Sequence, residues 1–213
     1  SDGTSMEYFY LENHPDILKV TLKNEILPHT SITLHFEYTL QIQNDQFTGY
    51  GVTKNGDFNL NYWYISPAVY ENSEWKLFSN MNTQDYYTPQ SNIELSISVP
   101  EIYDVSSELN LESTLLNQQK KTFNFFGNKR TDSRLYISKT PFIRINIHNL
   151  NISTDRSEDK ISPLEQLDLF KKVVGFLNSK HAAYPHDNLL VTSTDLKKYP
   201  IYGLNIIPDY FTP

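Results

Sequence analysis

Cysteine is absent from the 213-residue chain. That removes disulfides, thiolate nucleophiles and Cys-based metal sites together, and it fits a cytosol or a bacterial periplasm equally. Glycine is scarce, at 7 residues, and no Gly-x-Ser-x-Gly, GxxxxGK[ST] or GxGxxG pattern occurs, so neither a nucleophile elbow nor a phosphate-cradling loop is available. No run of about 18 apolar residues is present to span a bilayer as a helix, and no charged-then-apolar secretory signal opens the chain. Ser1-Asp2-Gly3-Thr4-Ser5 is small and polar like a tag remnant, which leaves room for a native signal or anchor upstream. The formal net charge of −7 is spread without an acidic or basic block, so nothing provides the footprint of a nucleic-acid partner.

What the chain does have is aromatic residues, with 15 Tyr and 12 Phe, a bias toward pleated sheets on which planar rings pack. Period-two alternation appears at Ile32, Leu34, Phe36, Tyr38, Leu40 and Ile42, and predicts a long strand over Thr30–Gln43 with one buried face. It recurs at Ile93, Leu95, Ile97 and Val99 and at Ile143, Ile145 and Ile147, with weaker versions at Ile17–Asn24 and Thr122–Phe126. Turn signals at Asn44-Asp45, Asn55-Gly56-Asp57, Ser66-Pro67, Thr88-Pro89 and Gly127-Asn128 separate these runs. The expectation is a mainly β protein with saddle-like or sandwich-like, antiparallel-rich sheets, followed by a short α+β segment.

The texture changes near Asn151. Ser162-Pro163-Leu164-Glu165 supplies an N-cap, a proline at the first helical position and the Glu of a capping box. Leu164, Leu167, Phe170, Val174 and Leu177 then follow at helical spacing to about Lys180, predicting one apolar stripe opposite Asp168, Lys171 and Lys172. A short strand is expected at Leu189–Val191. The chain therefore divides into a β-rich unit over 1–155 and the incomplete start of a second unit over 156–213.

Six histidines, at 14, 29, 35, 148, 181 and 186, form no HExxH, the arrangement in which two ligands one helical turn apart share a metal. His181 and His186 straddle Pro185 and cannot share a helix face, so no metal site is expected here. A triad built on His186-Asp187 and a carboxylate pair both depend on spatial arrangement that sequence order does not reveal. The aromatic cluster Tyr62-Trp63-Tyr64, Tyr70, Trp75, Phe78 and Tyr86-Tyr87 is read mainly as core, with a carbohydrate or peptide platform as its alternative.

Three segments, in order, resemble the aminopeptidase N and leukotriene hydrolase family of gluzincin zinc metallopeptidases, in a divergent bacterial branch. Trp75–Pro100 resembles the family's Pro-containing loop leading into a strand that ends in Val-Pro. Ala183-Tyr184-Pro185-His186 with Asn188-Leu189-Leu190-Val191 resembles the step from a helix into the first strand of the catalytic domain. Tyr202-Gly203-Leu204-Asn205-Ile206-Ile207 falls where the family carries its GxMEN edge strand.

The resemblance implies an all-β saddle-like domain packed on a thermolysin-like one, with Tyr202, Gly203, Leu204, Asn205 and Ile206 bordering the cleft and pairing with a peptide substrate. It also implies zinc held by HExxH and a later Glu, beyond position 213, so that this chain has no catalytic residue or cofactor of its own and is inactive without the missing catalytic domain. Ile206 stands where the family's amine-gripping Glu would be, which puts strict aminopeptidase specificity in question. A periplasmic or membrane-associated parent follows from the resemblance alone. A non-catalytic β-sandwich binding module for peptide or carbohydrate and a scaffold domain of a pseudo-enzyme are the alternatives.

Overall fold

The computed structural model describes residues 5–12, 14–46, 49–77, 87–155 and 162–192. The protein is mainly β, as its composition implied. In chain order the strands are β1 (Tyr8–Leu11), β2 (His14–Val20), β3 (Gly51–Val52), β4 (Phe58–Leu60), β5 (Val69–Glu71), β6 (Glu74–Lys76) and β7 (Ser91–Pro100). They continue as β8 (Asp104–Ser107), β9 (Asn110–Asn117), β10 (Lys120–Arg130), β11 (Leu135–Ser138), β12 (Ile143–Ile147) and β13 (Leu150–Thr154). Helix α1 (Pro163–Lys180) and β14 (Asn188–Val191) complete the order.

Two sheets enclose the main core. In the first, ordered β7-β10-β9, antiparallel pairing sets Ile97 opposite Phe123 and Leu95 opposite Phe125. The alternation at Ile93, Leu95, Ile97 and Val99 therefore delivers its apolar face to the Phe123–Phe125 stack. The second sheet, ordered β3-β4-β11-β8, contributes Leu60, Val105, Leu135 and Ile137 to the same cluster. Strand β11 is buried at every residue: Leu135 and Ile137 enter this core, while Tyr136 on the opposite face meets Phe142 and Leu190 in a second, smaller one. A strand covered on both faces carries apolar residues continuously rather than alternately, and for that reason Leu135–Ser138 gives no period-two signal.

The second core joins a third sheet, ordered β12-β13-β14. Its β13 and β14 run parallel, with Ile152 opposite Leu189, and parallel neighbours require a crossover, here α1. The helix begins as expected: the Ser162 hydroxyl accepts from the Glu165 backbone N–H, and the Glu165 carboxylate accepts from the Ser162 N–H at 2.7 Å. That backbone hydrogen bond holds the Glu165 carboxyl below the usual carboxylate range. The sheet takes strands from both sides of residue 155. A polar link also crosses between sheets: Arg134 donates to the fully buried Asn59 Oδ1 and, at 3.0 Å, to Thr192 Oγ1.

Several expectations are corrected. Thr30–Gln43 forms no strand; the segment is exposed along nearly its whole length and is tied down at its two ends, where the Thr30 N–H donates to the Leu27 carbonyl and, beside an isolated bridge between Asn44 and Val52, the Gln43 carbonyl accepts from the Val52 N–H. Alternation specifies which side chains share a face, but a strand forms only where another backbone takes up its N–H and C=O groups in a ladder, and among the described residues no strand pairs with residues 31–42. Near that bridge Gly51, at φ +127°, passes within 2.2 Å of the Gln43 oxygen measured from the position a Cβ would occupy, a site open only to glycine.

Gly127-Asn128 is not a turn. It lies within β10, whose pairing with β7 shifts register between Gly127 and Arg130, the mark of a bulge. The helix, too, differs from its predicted stripe. None of its residues is buried; Leu167, Phe170 and Val174 are half-covered, whereas Leu164 and Leu177 are exposed.

Candidate functional site

The segment assigned to substrate contact, Tyr202, Gly203, Leu204, Asn205 and Ile206, lies outside the described residues, as do Phe78 and Tyr86 of the aromatic cluster. What the structure describes is the approach to it, the turn 181–187 and strand β14. His181 caps the helix, its N–H donating to the Leu177 carbonyl at 2.8 Å. Tyr184 and His186 meet edge-to-face with ring centroids 5.6 Å apart. Burial, then the nearby Glu108 carboxylate, pushes the Tyr184 hydroxyl up from its ordinary value; burial, then the Arg130 guanidinium, pulls the His186 imidazole down. The two histidines expected not to share a metal sit one at a helix end and one in this turn. Among the described residues, no group of three or more His, Cys, Asp and Glu side chains could hold a metal ion.

The aromatic cluster separates into two populations. Trp63 packs against the main core and donates its indole N–H to the Ser133 carbonyl at 3.3 Å. Tyr64, beside it, reaches Asp132 at 3.5 Å, and burial followed by the Asp132 charge pushes its hydroxyl up to about 12. Burial raises Asp132 itself, against the opposing hydrogen bond from the Ser133 N–H.

Trp75, read as core from sequence, is 60% exposed. It and Tyr70 sit across the β5–β6 hairpin with ring centroids 4.9 Å apart, and Asn72 and Ser73 at the tip take positive φ, the geometry of a tight primed turn. Tyr87 closes on this hairpin through a 3.1 Å hydrogen bond from its hydroxyl to Glu71. The rings stand out because the β5-β6 pair forms a separate two-stranded sheet that contributes to neither core cluster.

A groove that sequence order does not reveal opens between the β8–β9 corner and the β12-β13-β14 sheet. Its volume of about 620 Å³ falls within the usual range for small-molecule sites. It is lined by Asn110, Asn146, Asn151 and Asn188 together with Arg144 and Ser106. Arg144 bridges Asp104 at 3.1 and 3.3 Å, and Asp104 also accepts from the Phe142 N–H. The four asparagines come from separate strands, so no local motif unites them.

No protein-family model matches the chain, and neither does any curated protein. Its class is thus stated by its architecture: a mainly β protein whose third sheet opens into a parallel strand-helix-strand unit.

Proposed function

We propose that this chain is the non-catalytic N-terminal portion of a zinc-metallopeptidase-like protein, its β sheets supporting and bordering the peptide cleft of the complete enzyme. One observation carries the reading: α1 leads into β14, which docks in parallel on β13, in the stretch that resembles the family's step into the catalytic domain. Parallel strands belong to sheets covered by helices on their faces. Here α1 brings the only helical cover among the described residues, and its Leu169, Val173 and Phe176 remain exposed. Among the described residues this α/β layer is incompletely covered, which supports reading it as the entry to a larger α/β unit. Tyr202–Ile206 then follow β14 and border the cleft, while zinc, its activated water and the general base come from beyond position 213.

The test is made on the full-length protein. It should bind zinc one-to-one through HExxH and a later Glu, and should cleave N-acetylated peptides as well as free ones, because Ile206 offers no charge-assisted bond to an amine. Absence of both zinc and peptide cleavage would overturn the proposal. A strict requirement for a free amine would overturn only the role given to Ile206.

A second reading rests on the exposed Tyr70–Trp75 pair. It makes the β5–β6 hairpin a stacking platform for a sugar or peptide in a non-catalytic binding module, and predicts ligand quenching of Trp75 fluorescence that is lost in Trp75→Ala.

A further inference from the structure

We infer that the groove beside the β12-β13-β14 sheet is a binding site for a neutral, hydroxyl-rich ligand, an oligosaccharide. The argument begins with register. Asn146 pairs with Asn151, and Asn151 pairs in parallel with Asn188, so three asparagines stand side by side on one face of three adjacent strands. The row continues to β9, because Asn188 Nδ2 donates to Asn110 Oδ1. At its other end Asn146 Nδ2 donates to Asn151 Oδ1 at 2.7 Å. Each side-chain amide has two N–H donors and an acceptor oxygen, and these two bonds consume only a fraction of what four amides offer. On the wall of the groove Ser106, 3% exposed, has a hydroxyl with no hydrogen-bond partner among the described residues. A buried hydroxyl left without a partner is costly, and a group entering the groove would satisfy it.

Charge and spacing select the ligand. Arg144 is neutralised by its two contacts to Asp104, and Asp187 also lines the groove, so an anion meets no spare cation there. A peptide strand points its N–H and C=O groups to a given side about every 6.8 Å, twice the residue rise, whereas adjacent strands place the amides about 4.8 Å apart. The two repeats fall out of step. A sugar carries hydroxyls on neighbouring carbons, each both donor and acceptor, and such pairs match the adjacent donor and acceptor of one side-chain amide.

The test is calorimetric titration of the full chain with neutral linear hexasaccharides of glucose, mannose, xylose and N-acetylglucosamine, and with an uncharged, end-blocked Ala-Gly hexapeptide. At least one sugar should bind, with an affinity insensitive to salt. Asn151→Ala and Asn146→Ala, both at exposed positions, should each weaken it about tenfold, as the loss of one or two hydrogen bonds to a ligand does. Asn151→Asp, which keeps the shape but removes the donors, should do the same with the unliganded Tm retained. Leu164→Ala, at an exposed position on α1 outside the groove lining, should leave the affinity unchanged. The inference is overturned if no sugar binds at millimolar concentration, if the asparagine variants bind as well as the parent, if Leu164→Ala weakens binding as much as they do, or if the peptide binds in preference.

Discussion

Replacing Gly127 by alanine tests how closely the bulged end of β10 approaches the core. A methyl group there would meet Leu109 Cδ2 at 2.4 Å, Arg130 Cγ at 2.8 Å and Arg130 Nε at 3.2 Å, against an ordinary carbon contact of about 3.5–4.0 Å. Leu109 and Arg130 are 2% and 6% exposed, so neither can swing into solvent to make room. Overpacking of this kind costs about 1–3 kcal/mol, while the reduced entropy of the unfolded chain returns about 0.4–1 kcal/mol. The steric term wins, and Gly127→Ala should destabilise by about 1–2 kcal/mol.

Leu109→Ala alone should cost about 2–5 kcal/mol through the cavity it leaves. In the double variant the new methyl occupies part of that cavity, and the worst clash disappears with the leucine. The two changes should therefore couple favourably by about 1 kcal/mol or more. Urea unfolding followed by tryptophan fluorescence would measure the cycle, with an unchanged m-value as the check that compactness is preserved. A stabilised Gly127→Ala, or additivity within about 0.5 kcal/mol, would show that β10 does not pass this close to Leu109 and Arg130.

The two tryptophans should respond differently in the same assay. Trp63→Ala, which removes a ring from the main core and an indole hydrogen bond, should cost about 3 kcal/mol, whereas Trp75→Ala should cost about 1 kcal/mol or less; equal costs would contradict their placement. For Asp132, burial raises the folded-state pKa, so the folded chain binds more protons than the unfolded one just above the usual carboxylate range. Stability contributed by the protonated carboxyl is lost as pH rises from that range through the raised value. Asp132→Asn should flatten this acid-side slope in denaturation curves measured across it, and an unchanged slope would assign the dependence to another group.

Much of the fold was written locally. The capping box at Ser162 and Glu165 declares the start of α1 because its donors and acceptors lie within one turn of each other, and Ile93–Val99 declares β7 because its alternation matches a face that is buried. The Asn72-Ser73 and Gln118-Gln119 tips, both at positive φ, are less legible, since primed turns favour Asn-Gly or Asp-Gly and here the pairing of the flanking strands imposes the geometry. Thr30–Gln43 marks the limit of the local signal: its side chains alternate as a strand's do, yet pairing depends on a partner that the segment itself does not contain.

Which aromatic rings are buried was likewise decided by tertiary structure. Trp63 and Trp75 occupy similar sequence surroundings, but one abuts two packed sheets and the other sits on a hairpin that no sheet covers. The asparagine row is the clearest case. Asn110, Asn146, Asn151 and Asn188 are each an ordinary polar residue in sequence, and only the register of β12, β13 and β14, with Ile147 and Ile152 buried on the opposite face, sets them in line.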